Sequence, residues 1–255
     1  MSAGVALTVE NVTKVFGGHG QRTTALSQVS LKVADGDFVC LLGRSGCGKS
    51  TLLSLLAGLT QPTSGSVDTH GHRVGMMFQD ANLFPWLTVS GNIELALRLS
   101  GVPRQSWRDR VAELLEIVQL PQAGDKRPHE LSGGMRQRVA LARSLAQDCR
   151  ILLMDEPFAA LDAITRDGMH EHIERIWIER GITVVFVTHN VREAARLSNR
   201  VVVMSPSPGR IVDDVAIALP RPRRMEDAAV AEQSGILHQL MDLHDTASAL
   251  ERLAS

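Results

Sequence analysis

The run Gly43-Arg44-Ser45-Gly46-Cys47-Gly48-Lys49-Ser50-Thr51 fits Gly-x-x-x-x-Gly-Lys-[Ser/Thr], a spacing that holds phosphates. Glycines let the backbone curl so that successive N–H groups point at phosphate oxygens. A helix beginning at Thr51 adds partial positive charge at its start. Lys49 is spaced to reach β- and γ-phosphates, and the Ser50 hydroxyl to ligate Mg²⁺. A second group of chemical residues ends the apolar run Ile151-Leu152-Leu153-Met154-Asp155-Glu156. Asp155 at a strand end can hold Mg²⁺ through water opposite Ser50, and Glu156 can then serve as base or orient water. A third is Leu131-Ser132-Gly133-Gly134-Met135, leading into the helical run Arg136 to Arg143. Ser132 is a good N-cap, the two glycines permit close backbone approach, and this helix start is a second anion-binding element.

The surrounding sequence supplies elements to position these groups. Leu7, Val9 and Val12 alternate as in a strand, as do Val29, Leu31 and Val33, with a turn at Asp35-Gly36. Phe38 to Leu42 is a continuous apolar run, as expected of a strand buried on both faces. Val74–Phe78, Ile151–Met154, Thr183–Val187 and Val201–Met204 read the same way, separated by helical patterns. This is an α/β fold with a largely parallel core. From about Val89 to Gln147 the chain is rich in helix formers without a convincing strand, so it reads as an inserted helical subdomain. Ser205 to Arg210 is a loop or hairpin, Pro220 to Arg224 a basic, solvated linker, and Ile236 to Leu253 an amphipathic helix.

Composition narrows the classes. In 255 residues, 27 Lys+Arg against 28 Asp+Glu disfavour a strongly basic nucleic-acid binder. Aromatics are 4% with no tyrosine, which disfavours stacking platforms for single strands. No apolar run approaches the ~20 residues of a membrane span, and no signal peptide is evident at the N-terminus. Cys40, Cys47 and Cys149 form neither a zinc pattern nor a disulfide framework, as expected of a reducing, cytoplasmic location.

Taken in order, the phosphate loop, Gln79 after a strand, Leu-Ser-Gly-Gly, strand-Asp-Glu-Pro, Ala160-Leu161-Asp162 and His189 after a strand resemble the ATP-binding subunit of an ABC transporter over residues 5 to 215. The resemblance implies an α/β P-loop NTPase (RecA-like) core with an antiparallel β subdomain, over 1–88 and 148–220. It implies a helical subdomain over 89–147, with 221–255 as C-terminal linker and helix. It implies ATP and Mg²⁺ as ligands. Residues 43–51 and Phe16, stacking on adenine, would bind the nucleotide, and Ser50, Gln79 and Asp155 the metal. Glu156, His189 and Gln79 would run hydrolysis, His189 contacting the γ-phosphate. Phe16 at a strand end also fits core packing.

The same resemblance implies a head-to-tail homodimer in which Ser132, Gly133 and Gly134 of one chain complete the ATP site of the other, with Asp162 crossing the interface. Asn82-Leu83-Phe84-Pro85-Trp86-Leu87, Pro128-His129-Glu130, Leu161 to Arg166 and Met204 to Ile211 are similar to importers of the nitrate/sulfonate/taurine class. Asn190 stands where that group usually has Asp. The implied partners are integral membrane permease subunits and, indirectly, an extracytoplasmic solute-binding protein, with the chain peripheral on the cytoplasmic face of the membrane. Phe84 and Trp86 fit either permease anchors or internal packing. The rival class is a soluble ABC-type ATPase acting on nucleic acid or ribosomes. One phosphate loop, no long heptad run and a near-neutral charge weigh against it. A guanine-reading Asn-Lys-x-Asp loop is absent, and neither a GTPase nor a kinase explains Leu-Ser-Gly-Gly.

Overall fold

The computed structural model describes residues 4–17, 22–159 and 161–253. The chain forms two compact units, Met1–Gly71 with Thr183–Ser255, and His72–Ile182. The second contains all of 89–147.

The first unit starts with strands β1 (Val5–Phe16), β2 (Thr23–Ala34) and β3 (Phe38–Leu42), helix α1 (Lys49–Leu56) and strand β4 (Ser64–Asp68). The second unit runs through β5 (Val74–Met77), α2 (Val89–Leu99), α3 (Trp107–Ile117), α4 (Gly133–Leu145), β6 (Ile151–Asp155) and α5 (Ala163–Arg180). The chain returns to the first unit with β7 (Thr183–Thr188), α6 (Val191–Leu197), β8 (Arg200–Met204), β9 (Ile211–Ala216) and α7 (Ala228–Leu253).

Two sheet systems build the first unit. β1 pairs antiparallel with β2, Leu7 opposite Val33 and Val9 opposite Leu31, and β4 adds antiparallel along the other edge of β1. Leu7, Val9, Val12, Leu31 and Val33 turn one face inward and are buried. Asn11 (φ 47°) and Gln28 (φ 52°) sit in the left-handed region where the pairing register shifts, as β-bulges require. The second system has β3 flanked by parallel β7 and β8, with β9 antiparallel on β8. Every residue of β3 and β7 is buried, which accounts for the apolar runs Phe38–Leu42 and Val184–Val187. Phe38 and Phe186 meet across these strands with ring centroids 6.1 Å apart.

In the second unit, β5 and β6 pair in parallel. Helices α2, α3 and α4 bury Ile93, Leu97, Val111, Leu114, Leu115, Val139 and Leu141. No helix among the described residues is long and apolar enough to cross a membrane.

The basic stretch at Arg221–Arg224 corrects the expectation of a solvated linker. Arg223 is buried, and its guanidinium donates to the carbonyls of Ala195 (2.9 Å), Ser198 (2.7 Å), Ile217 (3.2 Å) and Leu219 (2.7 Å). Arg221 donates to the Leu197 carbonyl. Both cations thus satisfy carbonyls that the end of α6 leaves unpaired within the helix. The C-terminal helix begins at Ala228 rather than Ile236, and packs on α6 with Val230 and Leu237 buried.

Candidate functional site

In the first unit the phosphate-loop sequence forms the connection from β3 to α1. Gly46 (φ 83°) and Gly48 (φ 92°) lie in the left-handed region that favours glycine. At Gly48 a Cβ would also stand 2.7 Å from Leu26 Cδ2 and 2.8 Å from the Ala25 carbonyl oxygen. The loop therefore needs glycine there for both conformation and space. Lys49 is buried and donates to the carbonyls of Gly43 (2.6 Å) and Arg44 (3.0 Å), which fixes its ammonium within the loop. Cys47 is buried beside it, its Sγ 3.7 Å from Lys49 Nζ; burial raises its thiol pKa, against the pull of the Lys49 charge. Arg44, Ser45, Gly46 and Ser50 are exposed, and Thr51 is half-buried on the first turn of α1.

Phe16 ends β1 with 46% of its surface exposed, and Lys14 Nζ sits 4.9 Å from its ring centroid. It is not a core phenylalanine, and its exposed π-face suits stacking. His189 is exposed just after β7. Its backbone is set by a network that only the folded chain brings together. Buried Thr188 donates its hydroxyl to the buried Glu193 carboxylate at 2.7 Å and accepts from Asn190 N–H at 3.0 Å. Asn190 Oδ1 then caps α6, accepting from the N–H groups of Arg192 (3.0 Å) and Glu193 (3.4 Å). Asn thus does the capping work an Asp would do. No clear sequence signal marks Glu193, since its helix also carries Arg192 and Arg196.

In the second unit, Asp155 ends β6 and is half-buried. Glu156 follows with φ 41°, a left-handed conformation that costs a non-glycine residue and recurs at functional sites. Gln79 is exposed after β5, and its carbonyl accepts from Gln137 Nε2 of α4 at 2.6 Å. Arg143 of the same helix donates to the carbonyls of Asn82 (2.6 Å) and Ala81 (2.9 Å). The loop carrying Gln79 is therefore tied to the helix that Ser132 begins. Gln137 and Arg143 were read only as helix formers. The sequence signal for Gln137 is its spacing, three and four residues before Ala140 and Leu141 on the apolar stripe of the helix.

Ser132 caps α4, its hydroxyl accepting from Met135 N–H at 3.3 Å. A Cβ at Gly134 would stand 2.3 Å from Thr165 Cγ2, so α5 packing demands glycine. Gly133 differs: an added Cβ would meet only the Arg136 guanidinium, at 3.9 Å. Its small size serves no contact within the described residues. Asp162 caps α5, accepting from Thr165 N–H (3.0 Å) and Thr165 Oγ1–H (2.8 Å), and these bonds hold its carboxyl below the usual range. Ala160, quoted beside it in the sequence, lies outside the described residues.

Phe84 and Trp86 stack at a tilt, centroids 5.4 Å apart. Buried Asn92 brackets Phe84 by accepting from its N–H (2.8 Å) and donating to its carbonyl (3.2 Å). Phe84 is half-buried while Trp86 is 68% exposed, so the pair presents one ring outward. Trp86 borders an apolar groove of about 350 Å³ with Leu87, Leu95 and Trp107.

Residues 26–159 match the family described as ABC transporter. The aliphatic sulfonates import ATP-binding protein of Rhodopseudomonas palustris is 44% identical over 256 residues, covering 98% of this chain and 88% of the relative. The nitrate import ATP-binding protein of Synechocystis sp. is 44% identical over 84% of this chain and 83% of its own length. The taurine import ATP-binding protein of Mesorhizobium japonicum is 48% identical over 76% of this chain and 78% of its own. Among solved structures, a dimeric post-hydrolysis state of the ATP-binding cassette MJ0796, bound to ADP and Pi, aligns with a TM-score of 0.74 at 32% identity. That match covers 84% of this chain and 100% of the cassette.

Proposed function

We propose, on the premise that this chain belongs to the ABC transporter family, that it is the ATP-hydrolysing subunit of an importer for a small oxyanion-bearing solute. The fold is that of a P-loop NTPase and the chain is an ATPase, converting ATP and water to ADP and phosphate. The relatives are named for nitrate, aliphatic sulfonates and taurine, solutes that share a compact oxyanion group.

The residues divide the chemistry. The backbone of 43–48, the Lys49 ammonium and the N-terminus of α1 hold the triphosphate, and Phe16 stacks on the adenine. Ser50 offers a hydroxyl, Asp155 a carboxylate and Gln79 an amide oxygen, the hard oxygen donors that suit Mg²⁺. When bound, that ion neutralises charge on the β- and γ-phosphates. Glu156 takes the proton of the attacking water, and His189 steadies the γ-phosphate. The reaction leaves ADP, phosphate and an unaltered transported solute.

One observation carries the assembly. Gly133 is small without any contact among the described residues that requires it, which leaves the start of α4 open to something from outside. Ser132, Gly133 and Gly134 meet the ATP held by a second copy, so two chains join head to tail around two nucleotides. Asp162, already fixed by Thr165, lies at that junction. ATP closes the pair, and hydrolysis with product release reopens it, biasing a bistable assembly. Trp86 and its groove dock the permease subunits, whose extracytoplasmic side receives solute from a binding protein. On this reading the chain sits peripherally on the cytoplasmic face of the membrane, and no helix among the described residues is long and apolar enough to cross it.

The test uses tagged Glu156→Gln chain, with ATP, in detergent-solubilised membranes. It should bind ATP and dimerise but hydrolyse at least about a hundredfold more slowly, as expected when a proton acceptor is lost. A polytopic membrane protein should co-purify with it. Recovery of a soluble dimer with nucleic acid or ribosomes would favour the soluble ATPase instead.

A further inference from the structure

The phosphate loop carries a side chain that the nucleotide reading alone does not place. Arg44, the residue after Gly43, points to the C-terminal helix and pairs with Asp242 at 3.3 Å. Asp242 is held in turn by His238, one turn earlier, at 3.5 Å. Helix α7 is not loosely attached. Val230, Ser234 and Leu237 are buried, and α7 packs on α6. His244 pairs with Asp213 of β9 at 3.2 Å. Upstream, buried Arg223 clasps the carbonyls at the end of α6, the helix that starts right after His189. The C-terminal segment therefore touches the phosphate loop and the far end of the helix that follows His189.

We propose that α7 is a built-in restraint on nucleotide binding, acting through Asp242 on Arg44. The proposal rests on the ATPase reading of the phosphate loop. Two effects of Asp242 have the same sign. It occupies an arginine whose backbone lies in the loop, so the guanidinium is drawn toward α7 rather than toward phosphate. It also sets a negative charge close to a site that takes a polyanion, and like charges repel. Both weaken nucleotide binding while α7 is docked. The Arg44 and Asp242 side chains are 60% and 52% exposed, so the restraint is modest and salt-sensitive. That is the strength a tuning element needs, since a stronger lock would abolish binding.

The test is titration of the full-length chain with a fluorescent ATP analogue at fixed pH, with thermal melts alongside. Asp242→Asn should tighten binding about two- to fivefold, the range an exposed ion pair allows, with the melting temperature held. Asp242→Lys should tighten it further, and the gain should shrink as salt rises. In an Arg44→Ala background Asp242→Asn should give less than its full gain, because one of its two routes is already gone. Unchanged or weaker binding by Asp242→Asn would overturn the restraint and make α7 a support for the loop. If the unaltered chain failed to bind the analogue, the ATPase reading itself would fall, and the restraint with it.

Discussion

Thr188 carries no chemistry of its own, yet it fixes the backbone from which His189 projects. Its hydroxyl donates to buried Glu193 and accepts from Asn190 N–H, one bond on each side of a single oxygen. Valine at 188 keeps the shape and removes both bonds, leaving the Glu193 carboxylate one donor short in a dry site. A lost bond to a buried charged partner costs about 1.5–3 kcal/mol. Stability bears part of that cost and the placement of His189 the rest. Thr188→Val should therefore lower kcat for ATP at least about tenfold, a shift of ~1.4 kcal/mol, with KM for ATP little changed, given the proposed action of His189 on the γ-phosphate in the reaction. Thr188→Ser, which keeps the hydroxyl, should restore the rate. A fall in kcat and KM together, matched by the loss of folded protein in a thermal melt, would reduce Thr188 to a stability role. Such a residue is hard to see in sequence, since a threonine ending an apolar strand has many ordinary explanations.

At the scale of elements, burial decides what can be read. β3, β7 and all of β6 but its last residue are enclosed, so apolar runs fill their centres and make them legible. β4 is almost wholly exposed along Ser64–Asp68 and carries no such signal; its pairing with β1 is supplied by the fold. Arg223 was read as a solvated cation for the same reason, because its partners are carbonyls that only the folded chain gathers. Helix α5 holds another buried polar residue, one whose ionisation burial constrains. His172 is buried, its Nδ1 donates to the Gly168 carbonyl at 2.6 Å, and its Nε2 has no hydrogen-bond partner among the described residues. Burial first, then the charges of Arg138 and Arg175, lower its pKa below the ordinary 6.5. The unfolded chain thus binds the proton more readily than the folded one. The resulting stability is full above pH 6.5 and is lost as pH falls through the lower folded value. His172→Gln removes that titration. Urea midpoints measured at pH 8, 6.5 and 5 should therefore fall less in the variant than in the unaltered chain. Parallel falls would mean that other groups govern acid sensitivity.

For the molecule as a whole, the sequence order separates the two elements proposed to handle phosphate, and each belongs to a different compact unit. The motifs were legible because phosphate chemistry restricts residue types tightly. Glycines must curl, a lysine must reach, and a capped helix must present its amides. The contacts that hold them were not, since Gln137, Arg143 and Glu193 act through bonds that three-dimensional packing creates. A head-to-tail pair has a consequence that neither element shows alone. Each ATP then needs Lys49 from one chain and Ser132 from the other, and twofold symmetry makes both sites alike. Lys49→Ala destroys the phosphate loop of its own chain, and Ser132→Arg blocks the helix start offered to the partner. Each variant alone places one defect in both sites and should not hydrolyse ATP. Mixed in equal amounts, half of the dimers pair the two variants. In those dimers one site collects both defects and the other collects none. The mixture should regain about a quarter of the unaltered rate per chain, if subunits exchange freely and sites act independently. Ser132→Arg alone should still bind ATP, since its own phosphate loop is intact. A mixture as inactive as either variant, with subunit exchange verified by a labelled chain, would show that hydrolysis requires both sites at once or that the pair is not assembled head to tail. A Ser132→Arg chain that lost ATP binding as a monomer would decide for the latter.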